Sequence, residues 1–174
     1  MTAVEPIAAD TERLTHWFDQ HGAAVRGYLR GLVRRDDVAD DITQDVFRRA
    51  WQARANYREQ GTPRAFLLRI ADRLVIDRAR KNRPEFQLDE MGWLAAEPPD
   101  RLPTPTAGVI EKESRQELDT AMELLTSSQR RVLLLRFYSD MSFAEIAETL
   151  DCPLSTALSH CRRGLLALRQ IISE

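Results

Sequence analysis

Between Pro63 and Arg83 the chain places Arg69, Arg73, Arg80 and Arg83 within about 80° of one another, counted at 100° per residue. The row lies opposite the apolar residues Phe66, Leu67, Ile70, Ala71, Leu74 and Val75. Arginines on a helix are usually just solvated, but four in one row favour contact with the phosphates of a polyanion. A second set is acidic. Asp41, Gln44, Asp45 and Arg48 share one helix face opposite Val46 and Trp51, and carboxylates with an amide on a rigid helix suit a basic partner. A third set of polar residues, Ser155, Thr156, Ser159, His160, Arg162 and Arg163, follows a short turn. Catalytic chemistry is not legible. The three histidines, His16, His21 and His160, come with no phosphate loop, nucleophile motif or metal-ligand cluster, so neither an enzyme nor a cofactor or metal is expected. Cys152 lies in the turn, Cys161 lies in the segment that follows, and two cysteines in 174 residues give no disulfide framework.

The net charge of −2 conceals a division along the chain. Residues 10–84 hold 16 Arg/Lys against 11 Asp/Glu, a net +5, whereas residues 85–125 hold 3 against 10, a net −7. A basic block is masked by an acidic middle, so the total charge does not argue against a nucleic-acid partner. No apolar run approaches the ~20 residues that span a bilayer, and the N-terminus lacks the pattern of a signal peptide. A cytoplasmic protein without membrane insertion is expected.

The elements that must carry these residues read as helices throughout, so the fold class is all-α: two small helical domains joined by a flexible, acidic, Pro-containing linker. A first helix runs from Asp10 to about Arg34, with Asp36 and Asp37 offering N-caps to a second. The second carries Val38, Ile42, Val46, Phe47, Ala50 and Trp51 on its apolar stripes. After a polar loop, Thr62 and Pro63 open a third helix as N-cap and first helical residue. Five prolines between positions 84 and 110 mark the linker. A helix over 110–125 follows. Thr126 to Gln129 and Ser142 to Glu145 then form capping boxes, the first before a helix carrying Val132, Leu133, Leu135 and Phe137. A helix over 143–150, a tight turn at Asp151 and a last helix over 155–172 have helix-turn-helix proportions, with Ala144 and Ala147 permitting a close crossing.

Three stretches together resemble one family, the extracytoplasmic-function (ECF) sigma factors of the sigma-70 family. They are Ala39 to Trp51, Pro63 to Arg78, and the region from Gln129 through Phe137 and Ser142–Ala147 to Cys152–Thr156. The resemblance implies sigma region two over residues 10–84, a linker over 85–109 and sigma region four over 110–174. It implies a transcription initiation factor that binds core RNA polymerase, through the beta-prime clamp and beta subunits, and directs it to promoter DNA. Asp41, Gln44, Asp45 and Arg48 match the polymerase-docking helix. Arg58, Gln60, Gly61, Thr62, Arg64, Arg69, Arg73 and Arg80 match the minus-ten reading surface. The six polar residues of the last helix, with Arg136 and Phe143, match the minus-thirty-five reader, with Arg163 best suited to a guanine or a phosphate. Cys161 stands where the family has a core aliphatic residue, which implies that it is buried. An anti-sigma factor is a further implied partner. One departure stands out: Asp72-Arg73 occupies a place where the family commonly has a basic residue followed by Asn. The competing reading is a stand-alone repressor that binds duplex operators as a symmetric dimer. The acidic helix and the linker argue against it.

Overall fold

The computed structural model describes residues 4–54, 62–82 and 112–172, and all its regular elements there are helices. The chain divides into two compact units, residues 1–88 and 89–174. The expected linker over 85–109 lies outside the described residues.

In the first unit α1 spans Val4–Val33, α2 Asp36–Gln52 and α3 Pro63–Asn82, each packed on the other two. The helix α1 starts earlier than the sequence pattern indicates. It stops where Arg34 turns left-handed, φ 56°, a conformation glycine or asparagine adopts more cheaply. The expected N-caps of α2 are displaced by one residue. Arg35 holds the cap position without a side-chain cap, while Asp36 and Asp37 sit inside the first turn, where the helix dipole favours them. They pair there with Arg30 at 2.9 Å and Arg35 at 2.6 Å. Thr62 caps α3 as expected, its Oγ1 accepting from Ala65 N–H at 3.2 Å. Val25, Leu29, Val46, Leu67, Leu68 and Ala71 make the core. Within it, Tyr28 is wholly buried and its hydroxyl donates to Asp72 Oδ1 at 2.7 Å. A buried carboxyl needs such a donor. Asp72 therefore belongs to the interior of the bundle, and of the Asp72-Arg73 pair only Arg73 faces solvent.

The second unit comprises α4, Lys112–Glu123; α5, Ser127–Leu133; α6, Phe143–Thr149; and α7, Leu154–Ile172. Both capping boxes are formed, Thr126 with Gln129 and Ser142 with Glu145. Beyond α5 the chain winds through a π-helical turn, Leu134–Tyr138, closed by a bond from Ser139 N–H to Leu134 O. The wider turn changes the phase of the residues that follow. Phe137, expected on the apolar stripe, is consequently exposed, as is Tyr138. A Schellman motif ends α6: Cys152 N–H reaches Ala147 O, and Asp151 takes φ 52°. Of the two small residues expected at a close crossing, Ala147 is buried but Ala144 is exposed. The tight contact involves Gly164 of α7, where a Cβ would stand 2.9 Å from Leu133 Cδ1.

Candidate nucleic-acid interface

Two surfaces of the first unit carry the predicted site residues. On α2, Asp41, Gln44 and Arg48 are exposed and Asp45 is half-buried, accepting from Arg48 Nη2 at 2.9 Å. Just behind this face, Arg26 of α1 grips both oxygens of Asp40, at 2.5 and 3.2 Å. The Arg26 hydrogen bonds hold the Asp40 carboxyl below its usual pKa. The pair closes one side of a groove of about 530 Å³ lined by Phe18, Gly22, Ala23 and Gln44 among others. Phe18 is left exposed there with its ring edge-on to Phe47, centroids 4.9 Å apart.

On α3, Arg73 and Arg80 are exposed while Arg64 and Arg69 are half-buried. Thr62 is exposed at the start of the helix, with its hydroxyl engaged in the cap. Arg58, Gln60, Gly61 and Arg83 lie outside the described residues. Asp77, four residues after Arg73 and three before Arg80, is exposed beside the row, so acids do border it. His21 packs near Arg64, and burial, Arg64 and His16 in that order lower its pKa.

The second unit divides the six polar residues of α7 into two groups. Ser155 and Arg163 are exposed and Arg162 is half-buried, so three side chains reach solvent. Thr156, Ser159 and His160, named with them as groove-reading residues, are buried. Gly164 lets α7 approach α5 closely, its position standing against Leu133 and Gln129. Ser159 acts as a brace, its Oγ accepting from Arg163 Nη2 at 2.7 Å and Nε at 3.2 Å. Burial, with Arg163 and Arg131 nearby, lowers the pKa of His160. Leu158, half-buried, lies on the side of α7 shared with Ser155 and Arg162. Arg136 and Phe143 form one assembly: the guanidinium lies 5.2 Å from the ring centroid and donates to Met141 O at 2.8 Å. This assembly fixes the start of α6. Cys161 is buried as expected, and burial raises both thiols to a pKa of about 11, so they are protonated at neutral pH. Among the described residues no cluster of three metal-ligating side chains occurs, and no helix is long and apolar enough to cross a membrane.

Residues 17–85 match the family model of sigma-70 region 2, and residues 115–168 that of sigma-70 region 4. The chain belongs to the sigma-70 family. Its relatives place it in the ECF class. It is 28% identical over 166 residues to the ECF RNA polymerase sigma factor SigK of Mycolicibacterium vanbaalenii, covering 94% of this chain and 83% of the relative. SigK of Mycobacterium tuberculosis is 24% identical over 165 residues, covering 94% of this chain and 87% of the relative. Among solved structures, the sigma factor RpoE of Bartonella quintana, in complex with the anti-sigma factor NepR, has a similar fold. The TM-score is 0.73 at 21% identity, over 93% of this chain and 98% of that one. CnrH, in complex with the cytosolic domain of CnrY, gives 0.66 at 19% identity, over 94% and 89%. The protein is thus an ECF sigma factor, a transcription initiation factor acting with RNA polymerase.

Three features that position the sigma factor's surfaces are not among the predicted site residues. Arg130 closes the end of α4, donating to Met122 O at 2.8 Å, Glu123 O at 2.7 Å and Leu125 O at 3.4 Å. Tyr28 and Asp72 tie α1 to α3 beneath the arginine row. Gly164 sets the depth of α7. Its signal was present in the sequence, since a glycine inside a helix costs about 1 kcal/mol relative to alanine and needs a packing reason.

Proposed function

We propose that this sigma factor directs core polymerase to a bipartite promoter, reading each element with a different unit. The last helix, α7, enters the major groove of the minus-thirty-five element with Ser155, Arg162 and Arg163, while Leu158 on the same side makes apolar contact. Arg136 and Phe143 steady the start of α6 at the DNA backbone. In the first unit, Arg64, Arg69, Arg73 and Arg80 hold the backbone of the opened minus-ten element, and the segment from Arg58 to Thr62 captures a base from it. Asp41, Gln44, Asp45 and Arg48 dock on the beta-prime clamp of the polymerase. On this reading region two spans residues 10–84 and region four residues 110–174, with 85–109 as the linker between them. An anti-sigma factor that covers these faces is the regulatory partner the family suggests.

The observation that carries the reading is the sorting of the polar residues of α7 into buried and solvent-facing ones. Ser159 braces the helix through Arg163, and the solvent-facing side chains form a short edge of donors suited to a base or phosphate. Docking is tested by exchanging Asp41, Gln44 and Asp45 together for alanine. The triple variant keeps its helical circular dichroism and loses binding to core polymerase in a pull-down and by fluorescence anisotropy. Wild-type affinity would overturn the docking assignment.

A further inference from the structure

Where α1 begins and α2 ends, charges and rings alternate across the surface of the first unit. Asp10 Oδ1 accepts from Arg13 Nη2 at 2.8 Å, and its Oδ2 lies 3.5 Å from Arg54 Nε. The Arg13 guanidinium stands 5.6 Å from the Trp17 ring centroid, and that of Arg54 stands 4.1 Å from Trp51. Arg54 Nη1 also donates to Trp51 O at 2.9 Å. A single carboxylate therefore bridges two guanidiniums, each placed over an indole. All three charged side chains still reach solvent, with relative exposures of 40% for Arg13, 26% for Asp10 and 31% for Arg54.

A guanidinium ordered on a ring presents its N–H edge outward, and carboxylate and phosphate oxygens accept from that edge in the same way. Asp10 offers its carboxylate to both guanidiniums, and an added anion competes for the same N–H edges. Trp17 is buried and Trp51 half-buried, which leaves the rings as supports for the arginines rather than as surfaces for a base. Contact at this place is with the backbone and is indifferent to sequence.

We propose that Arg13 and Arg54, seated on Trp17 and Trp51, form a phosphodiester-binding platform for single-stranded DNA, and that Asp10 occupies this platform in the free protein as an internal competitor. The choice of single-stranded DNA as ligand rests on the promoter-opening reading of the first unit. The anion chemistry does not. The platform extends the phosphate contacts of that unit beyond α3, and the carboxylate holds back single-strand binding until a strand is delivered at high local concentration.

The test measures binding of a fluorescein-labelled oligothymidylate to the full-length chain across a salt series, for wild type, Asp10→Asn, Asp10→Glu, Asp10→Asn/Arg13→Gln and Asp10→Asn/Arg54→Gln. Removing the competing charge should tighten binding about three- to tenfold and steepen the salt dependence by roughly 0.7 for each phosphate newly engaged. Asp10→Glu should behave as wild type, and each double variant should lose the gain. Thermal denaturation run on every variant separates binding from folding. Asp10→Asn binding equal to or weaker than wild type, or a gain that survives both double variants, overturns the platform. The assay needs no polymerase, so its outcome is independent of promoter opening, which polymerase-dependent melting by the wild-type protein decides separately.

Discussion

The two units are built from similar helices but are tied together over different distances along the chain. In the first, beside local ion pairs, several ties join elements remote in sequence. Arg26 reaches Asp40, Tyr28 reaches Asp72, Asp10 reaches Arg54, and the Trp17 ring meets Phe66 edge-on. In the second, most of the polar ties are short-range: two capping boxes, the Schellman turn at Asp151, the Arg130 bonds to the end of α4, and Arg163 on Ser159. Close packing does the long-range work there, above all at Gly164. The difference fits the two tasks. A helix-turn-helix needs its turn and its helix starts set locally, because a rotation of α7 misplaces every donor. On the proposed reading the first unit carries a partner face on one helix and a DNA face on another, and must hold several helices in register at once.

This contrast can be broken most forcefully at Tyr28. Tyr28→Phe removes a donor from the buried Asp72 carboxyl and should cost the first unit about 2 kcal/mol, read as a shift of the urea midpoint at unchanged slope. A loss under a few tenths of that would mean that the long-range tie is incidental. Gly164→Ala is the matching test of the second unit. Alanine favours a helix by about 1 kcal/mol, but the new methyl meets Leu133, so a net loss of about 1–2 kcal/mol is expected by urea denaturation. A gain in stability would show that α5 and α7 can separate freely.

The smallest effect concerns pH. Each unit holds one histidine among arginines, His21 near Arg64 and His160 near Arg163 and Arg131, and both have lowered pKa values. The neutral form is favoured in the folded state. Their contribution is thus complete above the ordinary histidine pKa of about 6.5, and is lost as pH falls through the lower folded value. The slope for one such group cannot exceed about 1.4 kcal/mol per pH unit. Urea midpoints measured between pH 7.5 and about pH 5 should decline, and His160→Gln should flatten the part belonging to the second unit. An unchanged slope in that variant would place His160 in contact with water.

The same difference in distance explains what could be read from the sequence. Thr126 with Gln129, Ser142 with Glu145 and Thr62 before Pro63 are local patterns, and each forms as expected. The family resemblance rests on such stretches, and with it the all-α fold and the polymerase-associated role. Partners such as Tyr28 and Asp72 are 44 positions apart, and no periodicity connects them. Asp72 stands out in the sequence only as a departure from the family pattern, and its burial supplies the reason. The proposed reading face of α7 is half legible. Polarity singles out six side chains, but three of them are buried, and polarity alone does not reveal which polar side chains the packing encloses. Phe137 was misplaced for a similar reason, because a π turn shifts the phase without a sequence mark.

Open-complex formation on a randomised promoter library, with this sigma factor alone, core RNA polymerase alone and the two together, tests the central claim most directly. Two enriched boxes at a fixed spacing, melted only when both proteins are present, are the predicted result. Tight binding of the isolated protein to a palindromic duplex, with no gain on adding polymerase, would contradict it.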